Sequence, residues 1–257
     1  MESNDVKAIV TGGASGLGEA TVRKLIDGGG MVAIVDRNET RAKQLLTDLG
    51  ESDRVFFVQA DVTNAMQVEE MARKVYERFG SINVLINCAG IATPGKVLSH
   101  KGTMDLAAFE RVIQVNLIGT FNVLRVVSSF MKENTTNGQE ERGVIINTSS
   151  VAAYEGQIGQ AAYSASKGAV ASMTLPIARE FASIGVRVMA IAPGLFETPM
   201  FDTLPEAAKN HLGSSVPFPN RLGYPSEYAT LVESILHNPM LNGEVIRLDG
   251  AIRMQPK

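Results

Sequence analysis

TGGASGLG, residues Thr11–Gly18, follows directly on the apolar run Val6–Val10 and leads into a helical pattern. The first N–H groups of a helix and the helix dipole favour an anion, and glycine lets the backbone approach a ligand closely. Gly12, Gly16 and Gly18 follow a T-G-x-x-x-G-x-G spacing rather than G-x-G-x-x-G. The stretch therefore predicts a strand–turn–helix unit that binds the pyrophosphate of a dinucleotide. The alternative is a glycine-rich turn needed for packing alone.

Short apolar runs rich in Val and Ile recur along the rest of the chain, with helical stretches between them. The predicted strands are Val6–Val10, Met31–Val35, Val55–Gln59, Asn83–Ile86, Gly143–Asn147, Arg187–Ile191 and Val245–Leu248. Runs that are apolar on both faces are typical of parallel strands buried on both sides. This alternation predicts an α/β fold, a doubly wound (Rossmann) parallel sheet of about seven strands with helices on both faces. Neither a linker nor a repeat is evident, which predicts one domain over residues 1–257.

Three segments interrupt the alternation. Asn134–Arg142 is polar and is predicted to be an exposed loop, and Ile91–Asp105 is predicted to run over the substrate side. Leu195–Pro219 contains four prolines among scattered apolar residues. Long irregular stretches inside a domain are often binding loops or lids, so this last segment is predicted to be the substrate loop.

Composition bounds the partners and the compartment. The 257 residues carry a net charge of −3 and include one cysteine. An acidic chain argues against nucleic acid as the main partner, and no intrachain disulfide can form. Met1–Asp5 lacks the apolar stretch of a signal peptide, and no apolar run approaches the roughly 18 residues of a membrane span. We expect a cytoplasmic protein without a metal site, and a mitochondrial matrix location through an uncleaved signal is the alternative.

Asp36 ends the second predicted strand, about twenty residues beyond the glycine turn. A carboxylate at this distance accepts hydrogen bonds from the adenosine ribose hydroxyls. Its charge would repel a 2′-phosphate, so it favours NAD over NADP. The adjacent Arg37 is an opposing signal because an arginine can hold that phosphate, and Asp36 also fits a helix cap or turn.

Two further strand ends carry residues that suit a cofactor site. The third strand ends at Asp61-Val62, and the fourth leads into Asn87-Cys88-Ala89-Gly90. Small residues at the carboxyl ends of strands let a flat cofactor lie close to the backbone. We interpret Cys88 as a small buried residue rather than a nucleophile.

Tyr163 and Lys167 stand four residues apart, so on a helix they share a face. For proton exchange near neutrality the pKa of the tyrosine must fall by roughly 3 units, or about 4 kcal/mol. A nearby ammonium supplies part of this because it stabilises the phenolate. Taken alone, the pair also fits an ion-pairing helix surface.

Further polar residues accompany this pair. Ser149 and Ser150 follow the fifth strand, where a hydroxyl can hydrogen-bond a substrate oxygen. Asn116 lies early in an apolar helix, and a buried amide there needs partners. It either satisfies backbone groups or holds a water that passes protons to Lys167.

With these residues in order, the chain resembles the short-chain dehydrogenase/reductase family over almost its whole length. The resemblance rests on the glycine turn, Asp61, the N-C-A-G segment in place of the usual N-N-A-G, Asn116, Ser150, the Y-x-x-x-K pair and Pro193-Gly194. Ser150 matches the family's serine because Tyr163 lies thirteen residues beyond it. The resemblance implies that Tyr163 is the acid/base, Ser150 orients the carbonyl, and Lys167 binds the nicotinamide ribose and lowers the tyrosine pKa. Asn116 would hold the relay water.

A closer likeness to one subfamily covers segments outside the catalytic set, namely Gly143–Gly168, Ile191–Thr198, Val216–Gly223 and Asn242–Pro256. It implies that the NAD contacts include Ser15, Leu17, Asp36, Asp61, Val62, Cys88, Tyr163, Lys167, Phe196 and Thr198, with the glycines, Asn87, Ala89, Gly90 and Pro193 beside them. Gln157 is implied as a polar group on the substrate side, with Ser150 and Tyr163.

The resemblance implies oxidation of 3-hydroxyacyl-CoA thioesters of fatty-acid metabolism, with steroids as further substrates. One alternative is an NADPH-linked 3-oxoacyl reductase of fatty-acid synthesis, against which Asp36 argues. An alternative of another class is an NAD-bound scaffold in an RNA-processing complex, although a scaffold need not keep four catalytic residue types.

The helices after Asn116 and Gln160 carry many small or apolar residues. One core cannot bury both sides of such helices, and the resemblance implies that they pair across a dimer face within a homotetramer.

Overall fold

Seven parallel strands form the central sheet of the structure, a computed structural model that describes residues 1–50, 52–100, 102–199 and 205–256. The sheet order is β3-β2-β1-β4-β7-β8-β9, and its strands are β1 (Lys7–Thr11), β2 (Met31–Asp36), β3 (Val55–Gln59), β4 (Val84–Asn87), β7 (Gly143–Thr148), β8 (Val186–Pro193) and β9 (Val245–Leu248). The numbering includes a separate hairpin of β5 (Leu98–Ser99) and β6 (Gly102–Thr103). The doubly wound fold is confirmed, and each predicted strand lies within two residues of an observed one.

Helices cover both faces of this sheet. They are α1 (Gly16–Asp27), α2 (Glu39–Leu49), α3 (Ala65–Phe79), α4 (Leu106–Ile113), α5 (Thr120–Met131), α6 (Ala161–Phe181), α7 (Glu206–Ser214) and α8 (Pro225–His237). One core layer contains Val10 with residues of α1, α2 and α8, and the other contains Ile9 with residues of α3, α5 and α6. Neighbouring strand residues therefore enter opposite cores, which explains why the strands are apolar at every position.

The order of strands reverses between β1 and β4, which both lie at the centre of the sheet. β1 leads to β2 on one side, and β4 leads to β7 on the other. In open parallel sheets, ligands bind outside the carboxyl ends of the strands at such a point. The glycine turn after β1 and the N-C-A-G segment after β4 both lie there.

Two of the interrupting segments contain features that the sequence patterns did not predict. Residues 134–142 are mostly exposed, but Glu141 is buried and pairs with Arg187 on β8. The arginine also donates to the carbonyls of Ile235 and Leu236 at the end of α8. A carboxylate can be buried here because a partner distant in sequence meets it. Within 195–219 the structure contains the helix α7, and residues 200–204 lie outside the described residues.

α4 and α5 form one helical stretch, joined by a π-helical turn at Gln114–Gly119. The stretch Leu106–Met131 is long and apolar enough to cross a membrane by length and composition alone. More than half of its most apolar part is buried inside the fold, as in the core helix of an α/β domain.

Candidate active site

The glycine turn between β1 and α1 has no space for side chains at three of its positions, Gly12, Gly13 and Gly18. Gly12 has φ +62°, and a Cβ on it would lie 2.8 Å from the backbone nitrogen of Ala89. A Cβ on Gly18 would lie 2.2 Å from the carbonyl oxygen of Gly12. The turn therefore packs backbone against backbone beside the N-C-A-G segment, and Ser15 stands at the N-cap of α1. This bare helix start fits the pyrophosphate of a dinucleotide.

Asp36 lies beside this turn at the end of β2. Its carboxylate accepts hydrogen bonds from the backbone N–H of Ala14 at 3.2 Å and of Asn38 at 2.9 Å. The side chain thus ties the glycine turn to β2 and lies where a ribose would extend from the pyrophosphate. The side chain of Arg37 is 72% exposed and pairs with Asp61, with Nε 3.5 Å from Oδ2.

Asp61 and Val62 follow β3 at the same edge. Burial raises the pKa of Asp61, but hydrogen bonds from the N–H and hydroxyl of Thr63 and the charge of Arg37 outweigh it, so the net direction is downward. Val62 is buried, and its carbonyl accepts a hydrogen bond from Nδ2 of Asn122 on α5 at 2.8 Å. These contacts hold the β3 end against the helix that continues from Asn116.

Asn87 connects three neighbouring strand ends. Its amide donates to Oδ1 of Asn147 on β7 at 2.9 Å, and its Oδ1 accepts from the Thr11 hydroxyl on β1 at 3.4 Å. The same hydroxyl accepts from the backbone N–H of Ala89 at 3.3 Å. The backbone that follows β4 is thereby fixed beside the glycine turn.

Cys88 lies behind this backbone rather than in an activating environment. Its sulfur is 3.6 Å from the hydroxyl of Thr148 and 3.7 Å from that of Tyr228. Burial raises the pKa of the thiol, although the two hydroxyls act in the opposite direction. A protonated thiol is a poor nucleophile, which supports the interpretation of Cys88 as a small packing residue.

Lys167 is almost fully buried, and Nζ donates a hydrogen bond of 2.7 Å to the carbonyl oxygen of Thr148. The ammonium lies 5.8 Å from the centre of the Tyr163 ring. A Cβ on Gly90 would lie 3.5 Å from this Nζ and 3.3 Å from Oδ1 of Asn116. The structure thus brings the lysine, the tyrosine and the asparagine together around the N-C-A-G segment.

Thr148 is a residue of the site that no sequence motif marks. It stands two residues before Ser150 at the last position of β7. Its carbonyl holds Lys167 across 19 residues of chain. Every residue type carries a backbone carbonyl, so the sequence does not reveal which one accepts this hydrogen bond.

Tyr163 is half-buried near the start of α6, with Ser150 close to its hydroxyl. Burial raises the pKa of the phenol, and the nearby Ser150 hydroxyl lowers it by less. Burial also lowers the pKa of Lys167 to about 8. In the cofactor-free chain the pKa of Tyr163 therefore lies above its ordinary value, because the effect of burial outweighs that of the Ser150 hydroxyl.

Asn116 lies in the π-helical turn with a fully buried side chain. Its Oδ1 accepts from the backbone N–H of Ile91 at 2.8 Å, and Nδ2 donates to the Ile91 carbonyl at 2.9 Å. Nδ2 also donates to the hydroxyl of Ser166 at 3.0 Å. The amide therefore satisfies backbone groups, which was one of the two alternatives, and anchors the chain after Gly90 to α6. The relay water stays a prediction.

The remaining residues of the predicted site lie on several different elements. Pro193 ends β8, Phe196 is buried beside Gly223, and Leu17 packs against the core on the α1 side. A Cβ on Gly16 would lie 3.4 Å from Thr198, so this residue is close to the glycine turn. Gln157 is turned to the C-terminal segment, where Nε2 donates to the Gln255 carbonyl at 3.0 Å. Among the described residues, no group of three or more His, Cys, Asp or Glu side chains could hold a metal ion.

The chain is similar to known dehydrogenases. Residues 6–209 match the family model for short chain dehydrogenases. The chain is 53% identical to the 3-hydroxyacyl-CoA dehydrogenase type-2 of Rattus norvegicus, over 97% of this chain and 95% of that protein. It is 35% identical to the ipsdienol dehydrogenase of Ips pini, over 98% and 99%. The crystal structure of a 3-hydroxyacyl-CoA dehydrogenase type-2 from Mycobacterium avium superimposes with a TM-score of 0.92 at 39% identity, covering 97% of this chain and 96% of the other.

Proposed function

The chain belongs to the short-chain dehydrogenase family, and we propose that it oxidises 3-hydroxyacyl-CoA thioesters to 3-oxoacyl thioesters with NAD. Enzymes of this family are oxidoreductases that use nicotinamide cofactors. The observation that carries the reaction is the grouping of Ser150, Tyr163 and Lys167 at the carboxyl end of the sheet. The substrate class rests on the likeness to the type-2 dehydrogenases along almost the whole chain.

In the proposed reaction, the Ser150 hydroxyl donates a hydrogen bond to the substrate oxygen, and Tyr163 accepts the proton of the substrate hydroxyl. When bound, the oxidised nicotinamide supplies the hydride acceptor and a positive charge. A positive charge favours the phenolate, which the burial of Tyr163 by itself disfavours. Lys167, fixed by the Thr148 carbonyl, is available to the cofactor ribose. The tyrosine thus becomes an effective base only in the loaded enzyme.

Asp36 supports NAD as the preferred cofactor. Its carboxylate is fixed by two backbone N–H groups beside the glycine turn. A 2′-phosphate here would meet a fixed negative charge, and Arg37 is paired with Asp61. The same observation disfavours the NADPH-linked reductase.

The outer faces of the central helices support a homotetramer. Ile118, Phe121 and Leu175 are each more than 40% exposed, and they lie on the helical stretch that contains α5 and on α6. Apolar side chains exposed on long helices favour burial against another subunit.

Substitution of Tyr163 by phenylalanine tests the proposed function, because it removes the acid/base and keeps the ring. Turnover of a short-chain 3-hydroxyacyl-CoA should fall by roughly 10²–10⁴, as expected for lost general acid/base catalysis. NADH affinity, measured by fluorescence titration, should stay near that of the wild type. Tyr76→Phe on α3 is the matched control and should keep full turnover. Near-normal turnover in Tyr163→Phe would refute the mechanism.

A further inference from the structure

Glu155 is a carboxylate outside the catalytic group that joins two distant parts of the chain. It lies between Ser150 and Tyr163, in the segment that connects β7 to α6. Both of its oxygens face Arg247 of β9, with Nη1 2.8 Å from Oε1 and Nη2 3.2 Å from Oε2. Oε2 also accepts the backbone N–H of Met254 at 3.0 Å. Paired charge-assisted hydrogen bonds of this kind stabilise the contact and also hold the two side chains in one relative orientation.

The C-terminal segment, residues 247–256, is itself folded around Arg247. Nε of this arginine donates to Oδ2 of Asp249 at 2.7 Å, and Nη2 donates to the Ile252 carbonyl at 3.1 Å. Oδ1 of Asp249 accepts the N–H of Ala251, which has a φ of +67°. The tight turn therefore depends on the same guanidinium that holds Glu155.

Further hydrogen bonds fasten the connecting segment, residues 154–160, from both sides. The backbone N–H of Ile158 donates to the Pro256 carbonyl at 3.0 Å, next to the bond between Gln157 and Gln255. On the opposite side, the N–H of Gly95 donates to the Gly159 carbonyl at 2.8 Å. The connecting segment is thus fixed between the C-terminal segment and the chain that follows Gly90.

The C-terminal segment also contacts other chain segments near the site. The N–H of Gly194 donates to the Leu248 carbonyl at 2.9 Å, and the N–H of Phe218 donates to the Gly250 carbonyl at 3.2 Å. Ser150 and Tyr163 are held by other contacts, since Ser150 caps the short turn that follows it and Tyr163 belongs to α6. Release of Glu155 can therefore loosen the surroundings of the catalytic group and leave that group in place.

We propose that Glu155 is a positioning residue that, through Arg247 and Met254, holds the connecting segment as a wall for the acyl part of the substrate. Tyr154 and Ile158 of the connecting segment are each 53% exposed, and the centre of the Tyr154 ring lies 5.6 Å from the guanidinium carbon of Arg247. Apolar surface beside the ion pair is thus available to an acyl chain. The identity of this substrate part rests on the proposed function. Glu155 acts on substrate affinity and takes no part in proton transfer.

Glu155→Gln is the sharpest perturbation because both carboxylate oxygens accept hydrogen bonds. Whichever oxygen becomes an NH2 group will face an N–H of Arg247. The bond with this arginine is also the main reason that the pKa of Glu155 lies below its usual value. The substitution keeps the size of the side chain. It removes both the charge and the paired hydrogen bonds with Arg247.

Glu155→Gln should raise the KM for a 3-hydroxyacyl-CoA about tenfold, equivalent to about 1.4 kcal/mol. The kcat and the NADH affinity should stay within about twofold. Hydrogen exchange of the cofactor-free protein should quicken in peptides 154–160 and 249–256, which contain the Ile158 and Met254 amides. The matched control is Glu227→Gln, since this carboxylate also pairs with both ends of an arginine, Arg221, and accepts a backbone N–H. It should change neither readout.

Removal of residues 254–257 provides a second variant, since it deletes the Met254 and Pro256 contacts and leaves the pair with Arg247 intact. It should raise KM in the same direction. Unchanged hydrogen exchange of both peptides in Glu155→Gln would overturn the proposal. A loss of kcat and NADH affinity in parallel with the rise in KM would also overturn it. Absence of thioester turnover by the wild type, with faster exchange in Glu155→Gln, would overturn the proposed function and leave the structural role of Glu155 standing.

Discussion

Replacement of Lys167 by methionine should change how the stability of the cofactor-free protein depends on pH. The ammonium is almost fully buried, and burial lowers its pKa from 10.5 to about 8. This difference corresponds to about 3.4 kcal/mol against the charged form. Methionine has a similar length and carries no charge, so Lys167→Met removes the penalty.

The sign follows from proton binding in the two states. Between pH 8 and 10.5 the unfolded chain keeps the proton on Lys167 and the folded chain loses it, so the stability of the wild type rises with pH. The penalty is almost fully present at pH 7, and about 1.4 kcal/mol of it remains at pH 9.5. The wild type should therefore gain about 2 kcal/mol relative to the variant between these pH values.

Thermal unfolding of both proteins at one protein concentration, from pH 7 to pH 9.5, measures this gain. At about 2 °C per kcal/mol for a chain of this size, the difference in Tm should change by about 4 °C. The lost hydrogen bond to Thr148 shifts the two curves by an offset that does not depend on pH, so it cancels. Lys132→Met, an exposed control, should follow the wild type at every pH. A constant difference between Lys167→Met and the wild type would show that the lysine is not held in a charge-disfavouring site.

Three other outcomes are expected. Asp36→Ala should weaken NAD binding and relax the preference over NADP, measured as the ratio of kcat/KM values; a wild type that uses NADPH better than NADH would contradict the role of Asp36. Gly18→Ala should lower NADH affinity at least about tenfold, because its Cβ would lie 2.2 Å from the Gly12 carbonyl oxygen. Unchanged affinity would contradict the close packing of the turn. Sedimentation at micromolar concentration should show a tetramer that Phe121→Glu dissociates, and a monomeric wild type would refute the assembly.

Local patterns were sufficient for the sheet and for the glycine turn. A strand buried on both faces must be apolar at nearly every position, so the seven runs were visible without knowledge of their neighbours. Gly12 and Gly18 were visible because a backbone-to-backbone contact excludes every other residue type. The helix pair of Tyr163 and Lys167 was likewise visible, since helix geometry places residues four apart on one face.

Burial and its effects on ionisation were not predictable from such patterns. The spacing of Tyr163 and Lys167 predicted a depressed tyrosine pKa, but in the cofactor-free chain burial raises it and lowers the lysine pKa to about 8. Desolvation depends on every element packed around a group, and no single segment records it. Asn116 shows the same limit, since its partner Ile91 is known only once the π-helical turn meets the chain after β4.

The fold, the glycine turn and the positions of the candidate catalytic residues are encoded in local patterns, because each depends on contacts within one segment or on a periodic pattern of burial. Which charges meet depends on how the chain folds, as in Glu141 with Arg187 and Glu155 with Arg247, which lie 46 and 92 residues apart. The chain has 24 basic and 27 acidic residues of the Lys, Arg, Asp and Glu types. Any of them could pair by charge alone, and the folded path of the backbone selects the few that come within hydrogen-bonding distance.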